Sequence, residues 1–309
     1  MTNISTKMHD FELQTPIMTA SGCSGYGKEM REISGFRFSD LGAFVCKSVS
    51  YEPIPGNPPP RLAETPAGLI NSIGLQNDGI KHFLEHEKPI LQEISTETKV
   101  IVSIFGTKIE EFFKIAEKLA DESWISAIEV NVSCPNHEQG GIAFGVDEAS
   151  LIRIVKGTKD IFKNKPLIVK LTPNCSDITH FAQIATDFGA DILCIANTFL
   201  GMSVDWRTGL TGVKRGFGGL SGPAVKPMIL YKVYQVRQKL PNVPIIASGG
   251  ACNADDVLEF LVVGADAVQI GTAFLRNPMI FGEICDDLHK KLEKQGISDI
   301  SMLKNTIKL

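Results

Sequence analysis

Several absences narrow the class of this 309-residue chain before any motif is read. Basic charge is not in excess: 31 Lys and Arg against 35 Asp and Glu leave a formal net charge of -4. Nothing in that balance draws in nucleic acid or an anionic membrane surface. No apolar run approaches the ~20 residues that a membrane-spanning helix needs. Residues Met1 to Phe11 lack the basic start and apolar core of a secretory leader. The seven cysteines (Cys23, Cys46, Cys134, Cys175, Cys194, Cys252, Cys285) are odd in number and contain no CxxC pair. That argues against a disulfide framework, a zinc site or an iron–sulfur cluster held by this chain alone. Neither a Rossmann glycine fingerprint nor a P-loop is present, so a resident dinucleotide or ATP is not expected. These exclusions leave a reduced, cytoplasmic enzyme with no nucleic-acid, membrane or metal partner.

What is present is a recurring unit. With 43% hydrophobic residues the chain can bury a large core, and its apolar segments are short and evenly spread. They are Pro16–Ala20, Ala43–Cys46, Val100–Phe105, Ala127–Val132, Leu167–Val169, Ile192–Ala196, Ile245–Ala247 and Ala267–Ile270. Between them lie helix-like patterns over Lys108–Leu119, Glu148–Lys163, Ile178–Phe188, Pro227–Lys239 and Asp255–Val263. Asp147 and Asn253 stand where N-caps are useful, and Gly189 and Gly264 where helices stop. Eight strands alternating with helices predict an α/β fold, a closed (β/α)8 TIM barrel. A barrel of about 250 residues leaves room for two insertions, about 51–98 after the second strand and about 199–243 after the sixth. No linker or composition shift divides the chain, so 1–309 is expected to be a single domain.

Active sites of such barrels sit at the carboxyl ends of the strands. Ser21, Lys47, Ser103, Asn131, Cys134, Lys170, Asn197 and Thr198 all fall there. Each alone could be a strand-end hydrogen bond. Two buried lysines, however, need anionic partners. Cys134 ends a strand that Pro135 must terminate, beneath the glycine-bearing loop 140–145, which is a candidate lid that Arg61 could clamp. It is a candidate base or nucleophile, set against the commoner role of a free cysteine as a small hydrophobe. Gly216–Pro223, Ser248–Ala251 and Gly271–Thr272 converge on the same end, where barrels often bind phosphate. On residues alone, a phosphate-substrate lyase or isomerase with Lys47 or Lys170 as a Schiff-base amine remains open. So does a flavin- or nucleotide-binding module without turnover.

Four stretches are far more specific: Asn57-Pro58-Pro59-Pro60-Arg61, Asn71-Ser72-Ile73-Gly74-Leu75-Gln76-Asn77, Asn131-Val132-Ser133-Cys134-Pro135-Asn136 and Gly219-Leu220-Ser221-Gly222-Pro223-Ala224-Val225-Lys226-Pro227. Through them the chain resembles the class 1 dihydroorotate dehydrogenases, FMN-binding barrels of pyrimidine (UMP) synthesis. The resemblance implies that Ala20, Ser21, Lys47 and Ser48 line the isoalloxazine, with Ser103, Asn131, Lys170 and Ile195 beside it. It implies that Gly222, Gly249, Gly250, Gly271 and Thr272 hold the phosphate. Lys47, Asn71, Gly74, Leu75, Asn131, Asn197 and Thr198 would bind dihydroorotate, and Cys134 would be the base.

Class 2 enzymes carry an N-terminal extension and a serine base, neither of which is found here. Ala63-Glu64-Thr65, the 140–145 loop, Asn197-Thr198 with Gly201-Met202, and Ser221–Ala224 resemble type 1B. That type passes electrons to NAD through an FAD and 2Fe–2S subunit in a heterotetramer. Ser103 departs from it, because type 1B has asparagine there and type 1A, a fumarate-reducing homodimer, has serine. A homodimer is expected, or a heterotetramer with such an FAD and 2Fe–2S subunit.

Overall fold

The computed structural model describes residues 2–133 and 144–308. Eight strands are built from the short apolar runs: β1 (Ile17–Thr19), β2 (Ala43–Val45), β3 (Lys99–Ile104), β4 (Ala127–Asn131), β5 (Leu167–Lys170), β6 (Ile192–Ile195), β7 (Ile245–Ser248) and β8 (Ala267–Ile270). Each pairs in parallel with its sequence neighbours, and β8 closes onto β1 through Val268 opposite Ile17. Strands covered on both faces have no wet side, which is why they read as unbroken apolar runs rather than alternating ones.

The period of two still shows inside the barrel. Met18, Ala43, Val45, Ile101, Ala127, Ile168, Ile192, Ile246 and Ala267 form an interior cluster. Met8 and Leu13 of the N-terminal hairpin Thr6–Met8/Phe11–Leu13 join it from below. Two residues further along the same strands come Ser103, Glu129, Lys170, Cys194, Ser248 and Gln269, a polar layer nearer the carboxyl ends.

Helices wrap the outside as α1 (Ile109–Leu119), α2 (Glu148–Ile161), α3 (Ile178–Asp187), α4 (Lys226–Lys239), α5 (Ala254–Val262) and α6 (Ile280–Lys294). Asp147 Oδ2 accepts from Ser150 N–H at 2.9 Å and Asn253 Oδ1 from Asp256 N–H at 3.0 Å, the expected caps. Asp177 caps α3 in the same way, and α6 lies beyond the expected helices.

The two insertions meet. Leu62–Thr65, Gly68–Asn71, Gly218–Ser221 and Phe199–Gly201 pair as one antiparallel four-stranded sheet, which supplies one wall of the barrel mouth. Gly218 and Gly219, expected as part of a phosphate cradle, are strand residues instead. A Cβ on Gly218 would lie 2.2 Å from the Asn71 carbonyl oxygen and one on Gly219 would lie 2.1 Å from Thr198 Oγ1. Their small size lets the insertions pack, while Gly219, Leu220, Ser221 and Gly222 of that run line the mouth, Gly222 at φ 96°.

Candidate active site

The polar layer is a connected network. Glu129 is 0% exposed, and a carboxylate so buried must be matched by donors and a cation. Ser103 Oγ donates to its Oε1 at 3.0 Å, Gln269 Nε2 donates to its Oε2 at 2.8 Å, and Lys170 Nζ lies 3.9 Å from Oε1. Lys170 is 4% exposed and donates to Gln269 Oε1 at 3.0 Å. Burial is the largest single influence and pulls the Lys170 ammonium down, but the Glu129 carboxylate, with smaller contributions from Cys194 and Cys23, turns the net shift upward.

A hydroxyl chain runs from this network to the surface of the cavity. Ser48 Oγ and Ser103 Oγ are 2.8 Å apart, and Ser21 Oγ and Ser48 Oγ 3.2 Å apart. A serine has one proton, and Ser103 spends its own on Glu129. Ser48 therefore donates to Ser103, Ser21 donates to Ser48, and the lone pairs of Ser21 remain available as acceptors at the cavity wall.

Above lies a cavity of ≈ 300 Å³, within the range of small-ligand sites. On one side stand Ala20, Ser21, Lys47 and Ser48, and on the barrel axis Asn131 and Lys170. Asn71, Gly74 and Leu75 reach it from the first insertion, and Asn197 and Thr198 from the end of β6. Asn197 Nδ2 donates to Ser133 Oγ at 2.7 Å, and Ser133 Oγ donates to Asn131 Oδ1 at 2.7 Å, so the amides are held in fixed orientation. Asn71 Nδ2 is tied to the Gly219 carbonyl at 3.2 Å. Leu75 adopts φ 58°, a left-handed conformation that is costly for leucine and concentrates at functional sites. Burial, and after it the Arg61 guanidinium, lower the pKa of the Lys47 ammonium.

The far end is built differently. Gly222, Gly249, Gly250, Gly271 and Thr272 line the cavity there. Neither the Gly249 nor the Gly250 N–H donates to a backbone carbonyl among the described residues, which leaves donors of the kind a phosphate needs. Gly250 has φ 97°, and a Cβ on it would lie 2.6 Å from Lys226 Cα. Thr272 Oγ1 donates to Ser221 Oγ at 2.8 Å.

Not every expected residue reaches the cavity. Ser103 is fully buried behind Ser48, and Ile195 is buried in β6; neither contributes to the lining. Arg61 is committed within its own insertion, donating to the Asn57 carbonyl and to Gln76 Oε1. Cys134 and positions 140–143 of the glycine loop fall outside the described residues, while Phe144 and Gly145 at its end begin the short helical turn Phe144–Val146. Glu129 and Gln269 were not anticipated as site residues, although a glutamate in the middle of a buried strand was a signal. Cys23 also lies at the cavity wall. Cys46 and Cys194 are buried, and Cys194 Sγ lies 3.5 Å from Gln269 Oε1. Among the described residues no His, Cys, Asp and Glu cluster has metal-binding geometry.

Comparison with known proteins adds a separate line of evidence. Residues 3–292 match the family model described as dihydroorotate dehydrogenase. The chain is 41% identical over 304 residues to "Dihydroorotate dehydrogenase B (NAD(+)), catalytic subunit" of Listeria monocytogenes serotype 4b, covering 98% of both chains. Proteins of the same name from Pelobacter propionicus and Desulforamulus reducens are 42% and 44% identical, with 97% of each chain covered.

Proposed function

This chain belongs to the dihydroorotate dehydrogenase family, and we propose that it is the catalytic subunit of an NAD-linked enzyme oxidising dihydroorotate to orotate in pyrimidine synthesis. The observation that carries this reading is a coincidence of two kinds. The similarity spans nearly the whole chain, and Asn71, Gly74 and Leu75, Asn131, and Gly222, drawn from three of its most specific motifs, line one cavity at the carboxyl end of the barrel. We assign FMN as the resident cofactor. Unpaired amides at Gly249 and Gly250 suit a phosphate, and the Ser21, Asn131 and Lys170 set suits the polar edge of a ring. When bound, FMN supplies the hydride acceptor.

The chain's own residues do the rest. Lys47 offers a charged donor to the substrate carboxylate, and Asn71, Asn131 and Asn197 offer amides to its ring N–H and C=O groups. The bonds that tether Asn131 and Asn197 through Ser133 fix these donors before substrate arrives. The Cys134 thiolate takes the proton from one ring carbon while the hydride leaves its neighbour. The cap sheet keeps water from the ring during that step.

Similarity to subunits named for NAD supports a separate electron-transfer subunit, which we take to carry FAD and a 2Fe–2S cluster. Ser103 is the feature that favours the fumarate-reducing homodimer. No helix of the described residues is long and apolar enough to cross a membrane, and we place the enzyme in the cytoplasm as a single-domain barrel subunit. The test is direct. Purified protein should be yellow, release FMN on denaturation, and bleach anaerobically with dihydroorotate. A colourless preparation that FMN does not reconstitute would overturn the reading in favour of a lyase.

A further inference from the structure

We propose that Glu129 is a positioning residue that, bridged by Gln269, fixes the Lys170 ammonium at the floor of the cavity. The inference rests on the flavin reading above and concerns Glu129 and Gln269, to which that reading gives no role.

Three observations carry it. First, the arrangement is closed: Lys170 Nζ donates to Gln269 Oε1 at 3.0 Å, and Gln269 Nε2 donates to Glu129 Oε2 at 2.8 Å. The amide is thus oriented by both charges at once. Second, all three side chains are buried, with Gln269 1% and Glu129 0% exposed, so water cannot replace a lost partner. Third, Lys170 lines the cavity whereas Glu129 does not. The carboxylate acts on a ligand only through what it holds.

Besides Glu129, the titratable groups facing Lys170 among the described residues are Cys194 of β6 and Cys23 beyond β1. Burial raises both thiols, Cys194 to about 12, so they remain neutral. Among the described residues Glu129 is therefore the counter-ion that keeps this lysine charged. A fixed cation there favours the negative charge that a bound flavin gains on reduction, and the carboxylate behind it sets the position and persistence of that cation.

The test is the midpoint potential of bound FMN as a function of pH in the purified holoprotein. Glu129→Gln keeps the shape and removes the charge. It should shift the reduction equilibrium against the reduced cofactor at least ~10-fold, about 30 mV for a two-electron couple. It should also introduce a break in the potential–pH plot below the ordinary lysine value of about 10.4, as Lys170 loses its proton. On a Lys170→Gln background the same substitution should add less than about threefold, because the two act as a unit. Gln269→Met should move the potential in the same direction by about threefold or more, and it decides the matter alone if Glu129→Gln does not fold. A potential and pH dependence unchanged in whichever of these variants fold would overturn the proposal. Wild-type protein that neither binds FMN nor bleaches would instead overturn the flavin reading.

Discussion

Replacing Lys170 by methionine isolates the electrostatics of the barrel interior. The ammonium lies 3.9 Å from Glu129 Oε1, where opposite unit charges at an effective dielectric of 20 attract by about 4 kcal/mol. Removing one partner of such a buried pair costs about 3–5 kcal/mol, chiefly because the other charge is left uncompensated. Glu129 keeps its bonds from Ser103 and Gln269, so the low end, about 3 kcal/mol, applies. In a chain of this length that lowers Tm by roughly 6 °C.

The assay is urea denaturation of flavin-free protein at pH ~8, so that ligand binding adds nothing to either variant. Lys170 has a raised folded pKa. Its contribution is therefore fully present below the unfolded value of about 10.4 and is lost as pH rises through the folded value. The gap between wild type and Lys170→Met should accordingly persist through neutral and mildly alkaline pH and close above about 10.4. Adding Glu129→Leu removes the orphaned charge and should recover most of the loss. A single variant within about 1 kcal/mol of wild type, or a double variant showing simple additive loss, would refute this account.

Four further outcomes are expected. Cys134→Ser should retain FMN yet slow anaerobic bleaching by roughly 10²-fold or more, the scale of general-base catalysis. Wild-type turnover should rise with pH through a thiol ionisation, about 8.5 for a free thiol, and a profile flat from roughly pH 6 to 9 would contradict Cys134 as base. Gly250→Ala forces a Cβ to within 2.6 Å of Lys226 Cα at φ 97°. With a left-handed penalty of about 1–2 kcal/mol, equilibrium dialysis should show FMN affinity weakened at least ~10-fold. Asn71→Ala removes one substrate donor while leaving the cofactor end intact; steady-state kinetics should show KM for dihydroorotate raised about 10-fold, with the FMN content of the protein unchanged.

The barrel was legible because strands buried on both faces leave unbroken apolar runs, and each of the eight expected segments overlaps one of the barrel strands, with ends that agree to within one residue. Helix starts were legible where a side chain does a local job, as at Asp147 and Asn253. The four-stranded cap sheet was not. Its strands are short, include the glycines Gly218 and Gly219 that weaken strand propensity, and come from segments as distant as Ala63 and Leu220. Only tertiary pairing brings them together. Ser21, Lys47, Asn131, Lys170, Asn197 and Thr198 were legible as polar groups ending barrel strands, whereas Asn71, Gly74 and Leu75 of the first insertion were legible only through the family resemblance. Glu129 and Gln269 were harder because strands do not announce which face points inward. Once the barrel closes, the period of two places both in one layer with Lys170, and burial makes their pairing obligatory. Ser103 shows the converse: it stands at a strand end, but its hydroxyl faces Glu129 and Ser48 rather than the cavity.

The most direct measurement is acceptor-resolved reoxidation of the bleached protein. Reduce the purified chain anaerobically with dihydroorotate, then add fumarate or NAD separately, and finally NAD together with an FAD and 2Fe–2S partner subunit. The account predicts that the visible flavin band recovers rapidly only in the last mixture. Rapid recovery with fumarate alone would contradict it and make the chain a self-sufficient, fumarate-reducing enzyme.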